Sequence, residues 1–229
     1  MNKTILAVDT CTELCSVALS HNGEIYHQEF DAPREHSQRL LPMVDEILKT
    51  QSLKIKDVDV LAFGRGPGSF TGIRICTSMV QGLALGADKP LAPVSTLAAM
   101  ATEAFEHHDC DYVATAIDAR MGEVYFALYQ KKNDQVELVI DEQVISPEQL
   151  MQAITLPEGD IIAVGTGFEA YESLFADLKR SEHGRLPKAK YMIPDAQRLI
   201  TAGALTDVDN VEPIYLRNTV TWKKLPGRE

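Results

Sequence analysis

No apolar run in the chain approaches the roughly 20 residues that a membrane span requires, and there is no Cys-x-x-Cys, His-Glu-x-x-His or Gly-x-Ser-x-Gly motif. The first absence points away from a membrane. The apolar stretch before Asp9 is also too short for a secretory h-region, so a cytoplasmic location is expected. Cys11, Cys15, Cys76 and Cys110 lack the paired spacing of a disulfide scaffold or zinc ribbon, and reduced, buried thiols are expected. Without two histidines at helical spacing the zincin reading fails, because His36 stands alone and His107 and His108 are adjacent, so no metal is expected. The missing elbow removes the α/β-hydrolase signature. Basic residues are scarce too. Against 33 Asp+Glu stand 22 Lys+Arg, a net charge of −11, and phosphate neutralisation dominates nucleic-acid affinity, which excludes an autonomous RNA binder. The deficit is uneven. Arg217, Lys223, Lys224 and Arg228 face one acidic residue in the last stretch, so any direct RNA contact is expected there.

What is present reads as a folded α/β protein. Hydrophobic residues at 45% and charged residues at 24% are ordinary for globular domains, and 229 residues allow one large core or two of about 100 residues each. Strands are predicted over 3–9, 14–20 and 24–30, with Asn22-Gly23 as a hairpin turn. A helix over 36–50 (capped by Ser37), a strand over 58–63, a helix over 71–85 (capped by Thr71), a strand over 91–94 and a helix over 95–105 follow. After a polar linker, 106–109, the order recurs: strands over 112–118, 123–130 and 136–144, a short helix from Pro147, a strand over 161–164 and a helix over 168–178. A helix over 194–205 and an extended tail, 207–229, complete the chain. This internal repeat predicts two related α/β domains, 1–105 and 106–206.

Each copy places an Asp at the end of its first strand, Asp9-Thr10 and Asp118, beside a turn of small residues. Such hairpins can hold phosphate on free N–H groups while the carboxylate holds hydrated Mg²⁺. Gly165-Thr166-Gly167 ends a strand where backbone can approach a nucleoside closely. The conspicuous Gly64–Gly72 segment lacks the Lys of a Walker loop, and Ser69 stands where the dinucleotide fingerprint needs its last Gly. It reads as a strand-to-helix loop that could hold an anion with help from Arg65 or Arg74.

Four segments, Ile5–Thr10, Glu35–Pro42, Gly66–Arg74 and Asp118–Tyr125, together with Pro213–Arg217, resemble the bacterial TsaB (YeaZ) family over essentially the whole chain. The resemblance implies the actin/Hsp70/sugar-kinase (ASKHA) fold. It also implies a role in making threonylcarbamoyladenosine at position 37 of tRNAs reading codons that begin with A. The implied role is that of a non-catalytic subunit, a homodimer alone or a heterodimer with the catalytic TsaD through the N-terminal domain, joined by the ATPase TsaE. The tRNA is then engaged indirectly, and nucleotide, ATP or ADP, is expected only in the assembled complex. Asp9, Thr10, Asp118, Gly165 and Gly167 become a vestigial or shared nucleotide site.

The two helices over 36–50 and 71–85 carry more apolar surface than one sheet face needs, which marks an interface. Leu40, Leu41, Val44, Leu48, Met79 and Leu83 are its candidates. The competing reading is an ATP/Mg²⁺-dependent phosphotransferase or hydrolase of the same fold built on Asp9 and Asp118.

Overall fold

A computed structural model of the chain describes residues 3–31, 33–133, 135–153 and 155–217. Two five-stranded sheets, built in the same way, organise it. The first contains β1 (Ile5–Asp9), β2 (Leu14–His21), β3 (Glu24–Asp31), β4 (Val60–Gly64) and β5 (Leu91–Val94), in the order β3-β2-β1-β4-β5. The second contains β6 (Tyr112–Arg120), β7 (Glu123–Lys132), β8 (Gln135–Ile145), β9 (Ile161–Val164) and β10 (Lys179–Arg180), in the order β10-β9-β6-β7-β8. In each, the first strand pairs antiparallel with the second and parallel with the fourth. The predicted repeat is therefore structural, and the fold is the two-part ASKHA α/β architecture.

Periodicity explains the helices. On α1 (His36–Thr50), His36, Leu40, Met43, Val44, Ile47 and Leu48 are buried, a single 3.6-residue stripe. They pack with Cys76, Val80 and Ala84 of α2 (Phe70–Ala87) on one face of the first sheet. The opposite face is covered from far along the chain, by Ala189–Met192 and α6 (Ile193–Thr201). Conversely α3 (Thr96–His107) sends Leu97, Met100, Ala101, Ala104 and Phe105 onto the second sheet, beside Val113, Ala127 and Ile162. Each half is thus closed by a helix placed in sequence after the other's strands. The second sheet's remaining face carries α4 (Pro147–Ala153) and α5 (Thr166–Ala170), with Phe168 edge-on to Phe175 at 5.0 Å.

Several local expectations are corrected. Glu35, without a side-chain cap, rather than Ser37 starts α1. Ser69 rather than Thr71 caps α2, its Oγ accepting the Gly72 N–H at 3.3 Å. Glu106 and His107 belong to α3 and not to a linker. The helix over 168–178 ends at Ala170 and gives way to a 3-10 turn, Glu172–Leu174. The segment beyond residue 206 does run without helix or strand as far as 217, but it is packed down rather than free. Leu91 and Thr206 form a β-bridge, Gln81 reaches the carbonyls of Val208 and Val211, and the Ile214 N–H donates to the Arg65 carbonyl at 3.2 Å. Tyr215 and Phe70 bracket Arg74, whose Nε donates to the Tyr215 hydroxyl at 2.9 Å and whose guanidinium lies 3.7 Å over the Phe70 ring.

Candidate functional site

The two Asp hairpins occupy equivalent places in the two sheets, yet their surroundings differ. Asp9 is fully buried. Its Oδ1 accepts the Cys11 N–H at 3.1 Å, while Oδ2 has no hydrogen-bond partner among the described residues. Burial disfavours the charged form and pushes the Asp9 carboxyl up to about 7, the Cys11 N–H opposing the rise. The lid is the glycine-rich segment. The Ser69 N–H donates to the Cys11 carbonyl at 2.7 Å, and the Thr10 hydroxyl donates to the Gly72 carbonyl at 2.8 Å. A Cβ at Gly64 would stand 1.8 Å from Asp9 Oδ2. One at Gly68 would meet the Cys11 carbonyl oxygen at 2.3 Å, and one at Gly72 the Thr10 carbonyl oxygen at 2.1 Å. These glycines therefore let backbone lie on backbone.

In that packing neither the Asp9 nor the Thr10 side chain faces solvent, and the N–H of Cys11 is already taken. Arg65 and Arg74 are not poised for an anion either. Arg65 pairs with Glu142 of β8 at 3.0 Å, and Arg74 is held by Phe70 and Tyr215. Beneath the hairpin, burial raises the Cys11 thiol well above its ordinary value and pushes Cys15 up to about 12. All four cysteines are unpaired, and Cys11, Cys15 and Cys76 are buried.

The second hairpin is open. Asp118 Oδ1 accepts the Arg120 N–H at 2.8 Å, and Oδ2 lies 3.1 Å from the largely exposed Arg120 guanidinium. Arg120, Met121 and Gly122 all have positive φ, and a Cβ at Gly122 would meet nothing. Gly165 and Gly167 serve packing, since a Cβ at Gly165 would lie 2.2 Å from the Ala116 carbonyl oxygen and one at Gly167 2.8 Å from the Ala116 Cβ. Of the predicted nucleotide residues, the structure leaves only Asp118 at the surface.

Arg217 is engaged within the chain. It binds Glu123 through Nε (3.0 Å) and the neighbouring amino group, and donates to the carbonyls of Ala119 (3.1 Å) and Arg120 (3.2 Å), locking this same hairpin. Lys223, Lys224 and Arg228 lie outside the described residues.

The candidate interface divides as well. Leu40, Val44 and Leu48 are buried in the core, so they contribute no outer surface; the i, i+4, i+8 stripe turns them toward the sheet. Met79 and Leu83 are half-buried against that core. Leu41 is exposed. Sequence reasoning missed the outer face of α2, where Ser78, Gly82, Leu85 and Gly86 are exposed, Leu85 to 73%. Among the described residues, a Cβ at Gly82 or Gly86 would meet nothing within 4 Å. The signal was legible as small residues four apart. Also missed was a group at the end of α3, where Glu103, His107 and His183 offer potential metal ligand atoms within 4.8 Å of one another. His183 is distant in sequence, but the i, i+4 spacing of Glu103 and His107 was visible.

Comparison with known proteins identifies this arrangement. Over its full length the chain is 47% identical to the Haemophilus influenzae protein named tRNA threonylcarbamoyladenosine biosynthesis protein TsaB, covering 99% of that protein. It is 45% identical, over 98% of the chain and 99% of the relative, to the Escherichia coli protein of the same name. The chain belongs to the TsaB family. A solved structure titled YeaZ from Pseudomonas aeruginosa superposes with a TM-score of 0.85 at 37% identity, covering 94% of this chain and all of that one. The profile described as TsaD, tRNA N6-adenosine threonylcarbamoyltransferase, matches residues 24–212. A transferase so named from Prosthecochloris aestuarii is 28% identical, but over only 47% of this chain and 35% of its own length.

Proposed function

We propose that the chain is a non-catalytic subunit in threonylcarbamoyl transfer to adenosine 37 of tRNA, acting by docking and organising a TsaD-type transferase together with TsaE. TsaB-family membership supports the pathway, and the partial match to transferases supports a pseudo-enzyme relation to such a partner. The observation that carries the docking role is the outer face of α2. A glycine inside a helix costs about 1 kcal/mol relative to alanine, and at Gly82 nothing among the described residues requires one. Closely apposed backbone from another chain does. Leu85, exposed on the same face, then supplies apolar contact beside that approach. A second copy of the chain occupies the face when the partner is absent. Nucleotide enters only in the assembly, and tRNA is held by the partner, in keeping with the acidic body.

The phosphotransferase alternative needs Asp9 beside a hydrated Mg²⁺, and its complete burial weighs against that. Sedimentation velocity of Gly82→Leu mixed with the transferase partner tests the docking role. Assembly is expected to be lost while the helix, relieved of a glycine, melts no lower than the parent. Undiminished assembly contradicts the reading.

A further inference from the structure

The last turn of α3 gathers side chains that neither hairpin nor the docking face uses. Glu103 and His107 stand one turn apart on α3 and so share a face. The segment after β10 delivers His183, whose ring stacks on His107 with centroids 3.8 Å apart and planes 13° apart. The Glu103 carboxylate is 2% exposed; its Oε1 accepts from Lys188 Nζ at 2.6 Å, while Oε2 has no hydrogen-bond partner among the described residues. An unsatisfied buried carboxylate oxygen is uncommon enough to need a reason.

The segment carrying His183 is built, not incidental. Gly184 has φ +88, and a Cβ there would stand 2.6 Å from the Met100 carbonyl oxygen, so only glycine lets the segment lie against α3. The His183 N–H donates to Ser181 Oγ at 3.0 Å, and His108 Nε2 lies 2.6 Å from the same oxygen. Tyr191 brings its hydroxyl to 3.4 Å from His107 Nε2.

We propose that Glu103, His107 and His183 bind one divalent transition-metal ion of the zinc class, joining the end of α3 to the 181–184 segment. Two imidazoles and a carboxylate, with water in the fourth position, are a ligand set that Zn²⁺ takes in tetrahedral sites. Imidazole nitrogen counts against Mg²⁺ and Ca²⁺, which prefer all-oxygen shells. The stacked ring planes lie nearly parallel, so a shared ion calls for one ring to turn. Both histidines are exposed, and the broad rotation about Cβ–Cγ lets one ring turn its nitrogen toward the other donors. Lys188 holds Oε1 and leaves Oε2 for the ion, while its own charge keeps the site weaker than a four-ligand structural zinc.

The test uses the full-length, untagged, metal-stripped protein. Titration with Zn²⁺ by calorimetry is expected to give one ion per chain, and Co²⁺ is expected to develop the visible bands of a tetrahedral site. His183→Asn and His107→Asn alter exposed side chains, and near-ultraviolet circular dichroism confirms that they remain folded. Each is expected to weaken binding by more than the roughly 10–100-fold that loss of an outer-shell partner costs. Absence of stoichiometric binding to the parent protein, or parent-like affinity in either folded variant, overturns the proposal.

Discussion

The two Asp hairpins share a topology and differ in what lies on them. In the first half the Gly64–Gly72 segment lies backbone to backbone on Thr10 and Cys11, and Asp9 is sealed beneath it. In the second half the hairpin stays at the surface, and among the described residues the Asp118 carboxylate is answered by Arg120. A fold can therefore keep the frame of a two-part cleft while converting one side into core. The result is a buried carboxyl under the start of α2.

The glycines probe this contrast most strongly. Gly72→Ala pushes a methyl group against the Thr10 carbonyl, with backbone on both sides, and is expected to cost more than about 3 kcal/mol, at or beyond the usual range for overpacking. Gly122→Ala in the open hairpin strains only its own positive φ, expected at about 1 kcal/mol. Urea unfolding of the pair measures both, and equal losses would break the comparison.

Asp9 comes next. Its folded pKa lies above the unfolded value of 3.8, at about 7. Between those values the native state keeps a proton that the unfolded chain has released. Stability from this group therefore falls as pH rises from about 4 to about 7 and is level above that. Between about pH 5 and pH 8 the loss is on the order of 3 kcal/mol. Asp9→Asn is expected to remove this component, so the difference in urea midpoint between parent and variant should move toward the variant's favour with rising pH. A difference independent of pH would mean that Asp9 is ionised in the folded protein.

Asp118→Asn is the smallest effect. The exposed Arg120 pair contributes little, and an amide oxygen can still accept the Arg120 N–H, so a change under about 0.5 kcal/mol is expected by the same unfolding measurement.

Much of this was legible beforehand, for identifiable reasons. The repeat was, because Ile5–Asp9 and Tyr112–Asp118 read alike and each leads into two further strands. The closing of the first hairpin was not, since it depends on Gly68 and Gly72 reaching Thr10 and Cys11 across some sixty residues of chain. Composition showed the glycines but not what they lie against. Apolar content alone also over-read α1. Leu40, Val44 and Leu48 looked like surplus surface, but the sheet uses them all, and only Leu41 is exposed. The proposed docking face is marked instead by residues with no side chain to notice, Gly82 and Gly86. Charge alone does not reveal the partners of Arg217, which are Glu123 and two hairpin carbonyls.

The central claim is that this chain works through the outer face of α2 and not through its hairpin carboxylates. Threonylcarbamoylation of tRNA, reconstituted with the transferase partner, TsaE and this chain, tests it most directly when Gly82→Leu and Asp118→Asn are run beside the parent. The account predicts that modification falls to the level seen without this chain for Gly82→Leu and stays at the parental rate for Asp118→Asn. Full activity of Gly82→Leu, with activity lost in Asp118→Asn, would contradict it.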